Sequence, residues 1–371
     1  MKFSVSSIDL LKKLQVVNGA IASNPVLPIL EDFLFEVNSN VLTISGSDLE
    51  TSIVTSMEVQ NASNDFIVAI PAKILIETLK GLPEQPVSFD INEDNFGIEI
   101  KSSVGKYRLV GENGVDFPQI PTADEVEVVT MEGNTLLEAI SNTLFATSND
   151  ELRPAMNGVY VQFGINMVTF VATDAHRLVK ASYSNVESEI NNTIILPKKA
   201  LNLLKGSVAA ATDVKVSFNN TNAFFSYDSV MMVCRLIDSK YPDYNAVIPV
   251  ENPYKLIVNR TDLLSSLRRV IIFANKTTNQ VILNLVENGL TISSQDIDFS
   301  NEATEQLSCS YDGEPMAIGF SGKFLIEMLN VLSAKEATFE LSTPSKAGII
   351  VPSDMGDNED ILMLVMPIMV N

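Results

Sequence analysis

Apolar residues recur along this chain at two periods. Some stretches place them at i, i+3 and i+4, which gathers them on one face of a helix. Three such stretches read alike: Ala72-Lys73-Ile74-Leu75-Ile76-Glu77-Thr78-Leu79-Lys80, Pro197-Lys198-Lys199-Ala200-Leu201-Asn202-Leu203-Leu204-Lys205 and Gly322-Lys323-Phe324-Leu325-Ile326-Glu327-Met328-Leu329-Asn330. Lys73, Lys198 and Lys323 stand 125 residues apart, and Leu79, Leu204 and Leu329 keep that spacing. A second helical set lies upstream of each: Leu10-Leu11 with Leu14, Leu136-Leu137 with Ile140, and Leu263-Leu264 with Leu267. Ser7, Asn134 and Asn259 are the expected N-terminal caps.

Between the helices the period falls to two. Phe33–Val37, Val41–Ser45, Gly158–Phe163, Met167–Ala172, Val281–Val286 and Leu290–Ser294 alternate and are rich in β-branched residues. Asn38-Ser39-Asn40 and Glu287-Asn288-Gly289 supply turns between them. One module therefore repeats three times, each copy carrying two helices packed on antiparallel sheets. The fold class is α+β. The joints are expected near residues 125 and 251, giving domains 1–125, 126–251 and 252–371. Pro118, Pro121, Pro249 and Pro253 sit close to those joints.

The composition is globular, 46% hydrophobic and 19% charged over 371 residues. Cys234 and Cys309 are too few for a disulfide framework and lack metal-ligand neighbours, so no metal site is expected. No apolar run approaches the ~18 residues of a membrane span. The segment Ile361–Val370 is apolar but short, and Pro367 breaks it. Met1–Gln15 lacks the apolar core of a secretion signal. These features predict a soluble, cytoplasmic protein.

Net charge is −21, which taken alone argues against nucleic acid. Its distribution changes that picture. Six helical windows (8–21, 71–81, 134–147, 197–206, 259–276 and 322–335) hold thirteen Lys and Arg against five Asp and Glu. The helices are thus basic and the strands and loops strongly acidic. Lys12, Lys13, Lys73, Lys80, Lys198, Lys199 and Lys205 are scattered, without interleaved aromatics. Such a surface attracts a phosphate backbone weakly and reads no bases. Two copies of the chain supply twelve helices. At about 10 Å between axes they circle ~120 Å and leave a hole of ~28 Å. A duplex of about 20 Å passes through that hole, whereas six helices leave only ~9 Å.

The chain resembles the bacterial DNA polymerase III β subunit, the sliding-clamp family, essentially end to end. The residues that carry the resemblance are Met1-Lys2-Phe3 with Leu27-Pro28-Ile29-Leu30, and Pro71-Ala72-Lys73 with Gly81-Leu82-Pro83. They continue through Ala172-Thr173-Asp174-Ala175-His176-Arg177-Leu178, Tyr241-Pro242-Asp243-Tyr244 with Ile248-Pro249, and Met366-Pro367. The resemblance implies a head-to-tail homodimeric ring around double-stranded DNA. That ring is a processivity factor without catalysis or cofactor, loaded by an ATP-driven clamp loader. It tethers the replicative polymerase, other polymerases and repair proteins through short peptide motifs.

Carried over by position, the resemblance implies a peptide pocket of Met156, Thr173, His176, Arg177, Leu178, Pro242, Val247, Phe324, Val365, Met366, Pro367, Ile368 and Met369. It implies DNA contacts at Asn24, Lys73, Asn149, Arg153 and Lys198. It implies a dimer interface in which Tyr107 and Leu109 meet Ile272 and Phe273, and Lys106 pairs with Glu302 or Glu305. Three positions depart from the family pattern. Ala175 stands where the family often has Gly, Ala246 where a basic residue is common, and Asn24 where the family is commonly basic. Less pull on acidic peptides is expected from Ala246. Two other readings compete: a hydrolase using Asp174 and His176 as an acid–base pair, and an acidic scaffold binding only proteins.

Overall fold

The computed structural model describes residues 1–22, 24–124, 126–184, 186, 188 and 190–370. The joint expected at residue 125 falls on Glu125, outside the described residues. Among the described residues, six α-helices lie where the periodicity places them: α1 Ser7–Val17, α2 Ala72–Lys80, α3 Gly133–Thr143, α4 Lys198–Ser207, α5 Arg260–Val270 and α6 Gly322–Val331. Four of the expected windows ran well past the helix ends, the last of them four residues beyond Val331. Helices α1, α3 and α5 each stop where the chain tightens into a 3₁₀ turn, at Asn18–Ala20, Leu144–Ala146 and Ile271–Phe273. The apolar periodicity continues through these turns, which is why sequence alone lengthens the helices.

One expected cap holds and two do not. The Asn259 side chain accepts from the Thr261 and Asp262 N–H groups at the head of α5. At α1 the cap is Ser6, whose Oγ accepts from the Asp9 N–H at 3.4 Å. Ser7 is buried instead, donating to Pro83 O at 3.0 Å and accepting from the Gln85 N–H at 3.1 Å. Asn134 lies inside the first turn of α3, which begins at Gly133.

The chain forms two compact units, Met1–Asn134 with Asn202–Leu236, and Thr135–Leu201 with Ile237–Asn371. Each unit holds one four-stranded and one nine-stranded sheet. Buried faces of α1 (Leu10, Leu14, Val17) and α2 (Leu75, Ile76, Leu79) supply core in the first unit. Those of α5 (Leu263, Leu267) and α6 (Leu325, Met328, Leu329) do so in the second.

The nine-stranded sheets are continuous across sequence repeats. In the first unit, Thr51–Glu58 pairs antiparallel with Val230–Arg235, Thr51 facing Cys234. In the second, Arg177–Tyr183 pairs antiparallel with Glu359–Val365, Arg177 facing Val365. Strands some 180 residues apart thus join one repeat to the next, twice. The corresponding strands of the remaining pair, Asn301–Ser308 and Lys106–Val110, each end a four-stranded sheet and leave one edge open.

One buried charge stands out. Asp32 opens the strand Asp32–Asn38, is 6% exposed, and faces Pro71 across the ladder. Burial pushes its carboxyl up to about 7, and the nearby Glu112 and Glu31 add to the shift. A carboxyl whose folded pKa is raised holds its proton in the folded state after the unfolded chain has lost it. Stability is therefore lost as pH climbs from the ordinary carboxylate range through about 7. Asp32→Asn is expected to stabilise the protein by about 2 kcal/mol at pH 8, with the gain vanishing near pH 4. Urea unfolding at the two pH values checks this; an equal gain at both would assign it to packing.

Candidate functional site

The segment Thr173-Asp174-Ala175-His176-Arg177 is a tight connection held by its own polar groups. The Ala175 N–H donates to Thr173 Oγ1 at 3.1 Å. The His176 and Arg177 N–H groups donate to Asp174 Oδ1 at 2.9 and 3.0 Å. Ala175 sits at φ 75°, in the left-handed region. The first repeat builds the same connection. The Leu49 N–H donates to Ser47 Oγ at 3.1 Å, and the Glu50 and Thr51 N–H groups donate to Asp48 Oδ1 at 3.0 and 2.6 Å. Leu49 sits at φ 77°. Glycine is the relaxed residue at such a position, which gives Ala175 a physical cost. Ala175→Gly and Leu49→Gly are each expected to gain about 0.5–1 kcal/mol, read as a rise in Tm. A fall in both would mean the side-chain contacts outweigh the backbone cost.

This geometry removes the acid–base reading of Asp174 and His176. Both carboxylate oxygens of Asp174 are engaged by the backbone and by Arg177 Nε at 3.1 Å. The His176 ring instead lies over Phe324, centroids 6.4 Å apart.

Arg177, one of the expected pocket residues, is buried. Its side chain is 7% exposed. Its guanidinium binds Asp174, pairs with Glu327 of α6, and donates to Phe145 O at 2.7 Å. It also lies 4.4 Å from the Phe324 ring centroid and 5.1 Å from that of Phe145. Two carboxylates, a main-chain carbonyl and two aromatic rings thus surround the cation.

The other expected pocket residues divide by depth. Thr173, Leu178 and Val365 are buried. Leu178 joins a cluster with Val171, Tyr241, Tyr244, Ala347 and Leu364, against which Ile248 and Tyr160 pack. His176, Pro242, Val247, Met366 and Met369 are exposed; Met156, Phe324, Pro367 and Ile368 are half-buried. Val247 and Met366 line one open depression of about 590 Å³, together with Ala246, Ile248, Pro249, Val250, Glu251, Lys346 and Ala347. The Met366 N–H donates to His176 O at 2.9 Å, tying the Phe324–His176 end to Met366. Beyond it the tail runs along the strand Met316–Ser321, the Ile368 N–H donating to Gly319 O at 2.8 Å. A Cβ on Gly319 would approach Ile368 O to 2.5 Å, so only glycine permits this docking.

Sequence reading missed Lys346 and Ala347, which approach the depression from a turn with no local signal. Tyr160 and Tyr241, stacked at 4.5 Å in the buried cluster that Ala347 joins, were also missed. Of the quoted Tyr241-Pro242 and Ile248-Pro249 marks, only Pro242 had been assigned a role.

The expected DNA residues are reported unit by unit. In the first unit Asn24, Lys12, Lys73, Lys80 and Lys205 are exposed. Lys12 pairs with Asp9 at 3.5 Å, and Lys13 donates to Ser229. In the second unit Lys198 donates to Asn149 Oδ1 at 3.1 Å, and Arg153 pairs with Asp150 at 2.9 Å. Lys199 is exposed. The structure thus brings Lys198 and Asn149 into contact, and both Asp9 and Asp150 partly neutralise expected contacts.

Of the expected interface residues, Ile272 is 62% and Phe273 40% exposed, both on the 3₁₀ turn after α5. Tyr107 and Leu109 are half-buried on the open-edged strand Lys106–Val110. Lys106 and Glu302 are exposed. Glu305 already accepts from Nε and Nη2 of Arg269, at 2.7 and 2.6 Å. That contact keeps the Glu305 carboxyl below its ordinary range.

Three family models match this chain in series. They describe the DNA polymerase III beta subunit N-terminal domain over residues 1–121, its central domain over 130–243 and its C-terminal domain over 245–369. The chain belongs to the DNA polymerase III beta subunit family. A beta sliding clamp of Vibrio cholerae is 27% identical over 369 residues, covering 99% of this chain and all of that one. The beta subunit of Thermotoga maritima has the same fold, with TM-score 0.90, 26% identity and full coverage of both chains. A sliding clamp of Bartonella birtlesii, solved bound to griselimycin, gives the same three values. In beta-subunit terms, the residues lining the depression fall within the C-terminal domain and Arg177 within the central one. Among the described residues no helix is long and apolar enough to cross a membrane.

Proposed function

We infer that this chain is a DNA sliding clamp, a processivity factor that encircles duplex DNA and tethers the replicative polymerase and other replication and repair proteins. The observation that carries this reading is the match of all three beta-subunit domain models in order along one chain. A closed ring cannot leave DNA sideways, so it needs no tight contact to stay on. Scattered lysines then attract the backbone without fixing the ring at one sequence.

The ring itself is supported by the open edges. Thr51 and Arg177 each begin a strand that pairs with a distant repeat, facing Cys234 and Val365. Asn301 begins the third such strand. Val110 stands seven residues before Phe117-Pro118, as Cys234 stands seven before Tyr241-Pro242. The same pairing between copies puts Asn301 opposite Val110 and Glu305 opposite Lys106. Lys106 and Arg108 on one edge face Glu302 and Glu305 on the other, so the charges agree. Glu305 would then be shared between Lys106 and Arg269. Ile272 and Phe273 would be covered by Tyr107 and Leu109.

We take the chain to be non-catalytic and cytoplasmic, with domains joined near residues 125 and 251. The exposed lysines of α1, α2 and α4, with Asn24, Asn149 and Arg153, are proposed to face DNA. The depression around Val247 and Met366 is proposed to take partner peptides, with the Phe324–His176 end as its continuation. Topology tests the whole reading. Loaded onto nicked circular DNA by its clamp loader with ATP, the protein is expected to stay bound through gel filtration. It is expected to leave once the circle is cut. Equal retention on linear DNA would indicate ordinary binding and sink the clamp reading.

A further inference from the structure

The depression beside Met366 carries two charged side chains on its walls, Lys346 and Glu251; its other lining residues are uncharged. The sequence led to the opposite expectation, because Ala246 leaves the usual basic position empty. The turn carrying Lys346 is fixed to the floor. Its N–H donates to Thr343 O at 3.1 Å, and the next residue, Ala347, is buried against Leu178 and Leu364. The side chain itself is exposed at the rim. Lys346 and the buried Ala347 line the same depression, so a peptide seated there lies close to the Lys346 side chain.

We propose that Lys346 is a specificity-determining residue of the groove, selecting partner peptides that place a carboxylate beside their apolar anchor. This rests on the reading of the depression as the partner-peptide groove. The chain carries −21 overall, so an acidic peptide is repelled at long range. Lys346 acts only at contact, where one ammonium outweighs distant, screened charge. The preferred partner is therefore apolar with a single well-placed acid, and not an acidic tract. Glu251 on the lining penalises a carboxylate placed toward it, so one position of the acid relative to the anchor is favoured.

The test is fluorescence anisotropy with the full chain at about 0.1 M salt. The probes are a labelled peptide with a Leu-Phe pair in neutral flanks, and a series carrying one Asp walked along either side. One Asp position is expected to bind about 3–10-fold tighter than the neutral peptide. Lys346→Gln should bring the ratio of affinities between that Asp peptide and the neutral one to about one. Lys346→Glu should transfer it to a Lys at the same position. Glu251→Gln should keep it or widen it. If the neutral peptide binds and no Asp position improves it, the Lys346 assignment is overturned while the groove stands. If no peptide of the series binds the unsubstituted protein, the groove reading falls, and the assignment with it.

Discussion

Replacing Arg177 by alanine is expected to cost about 3–5 kcal/mol of stability, the range for removing one partner of a buried ion pair. The cation binds two carboxylates and a main-chain carbonyl and is covered by two aromatic rings. Its loss leaves the half-buried Glu327 and the Phe145 carbonyl without their donor and opens a void beside Phe324. Arg177→Lys keeps the charge but not the fork, so it should recover only part of the loss. Urea unfolding measures both. A cost below about 1 kcal/mol for Arg177→Ala would show that water replaces the guanidinium freely. Loss of Phe324 order in the same variant would also weaken peptides that reach the Phe324–His176 end.

The second large effect concerns assembly. Ile272→Asp together with Phe273→Asp should convert the proposed dimer to monomer, lowering the mass in solution by half. Each change sets a charge on an apolar contact and places it near Glu302 and Glu305, so the penalties reinforce one another. Both side chains are substantially exposed in one chain, so the variant should fold normally, and unchanged circular dichroism separates dissociation from misfolding. A mass still corresponding to two chains would remove these residues from the interface.

The repeat was legible because its signal is local. Helix faces need only four residues to declare themselves, and the lysines at 73, 198 and 323 preserved a constant spacing. Helix ends were less legible, because Asn18–Ala20 and its two counterparts keep an apolar pattern while changing the hydrogen bonding. Ser6 and Ser7 are equally good caps by composition. Only the distant Pro83 carbonyl and Gln85 N–H claim Ser7 for another role. The groove was legible as a set of segments but not as a shape. Nothing near Arg177 in the sequence announces Glu327, 150 residues away, so its ion pair was silent. Lys346 was silent for the same reason: its turn reaches the groove only through the buried contacts of Ala347 with strands far along the chain.

The strand joints described above are alike in geometry but unlike in thermodynamics. Thr51–Glu58 with Val230–Arg235, and Arg177–Tyr183 with Glu359–Val365, belong to one covalent chain. Each reforms at an effective concentration set by connectivity, typically millimolar, whatever the protein's abundance. The proposed joint between Asn301–Ser308 and the Lys106–Val110 edge of a second copy would have no such tether while both of its counterparts are open. Dilution weakens that class of joint and leaves the other untouched. A ring built this way has predetermined break points, and their occupancy reports on how much of the protein is present.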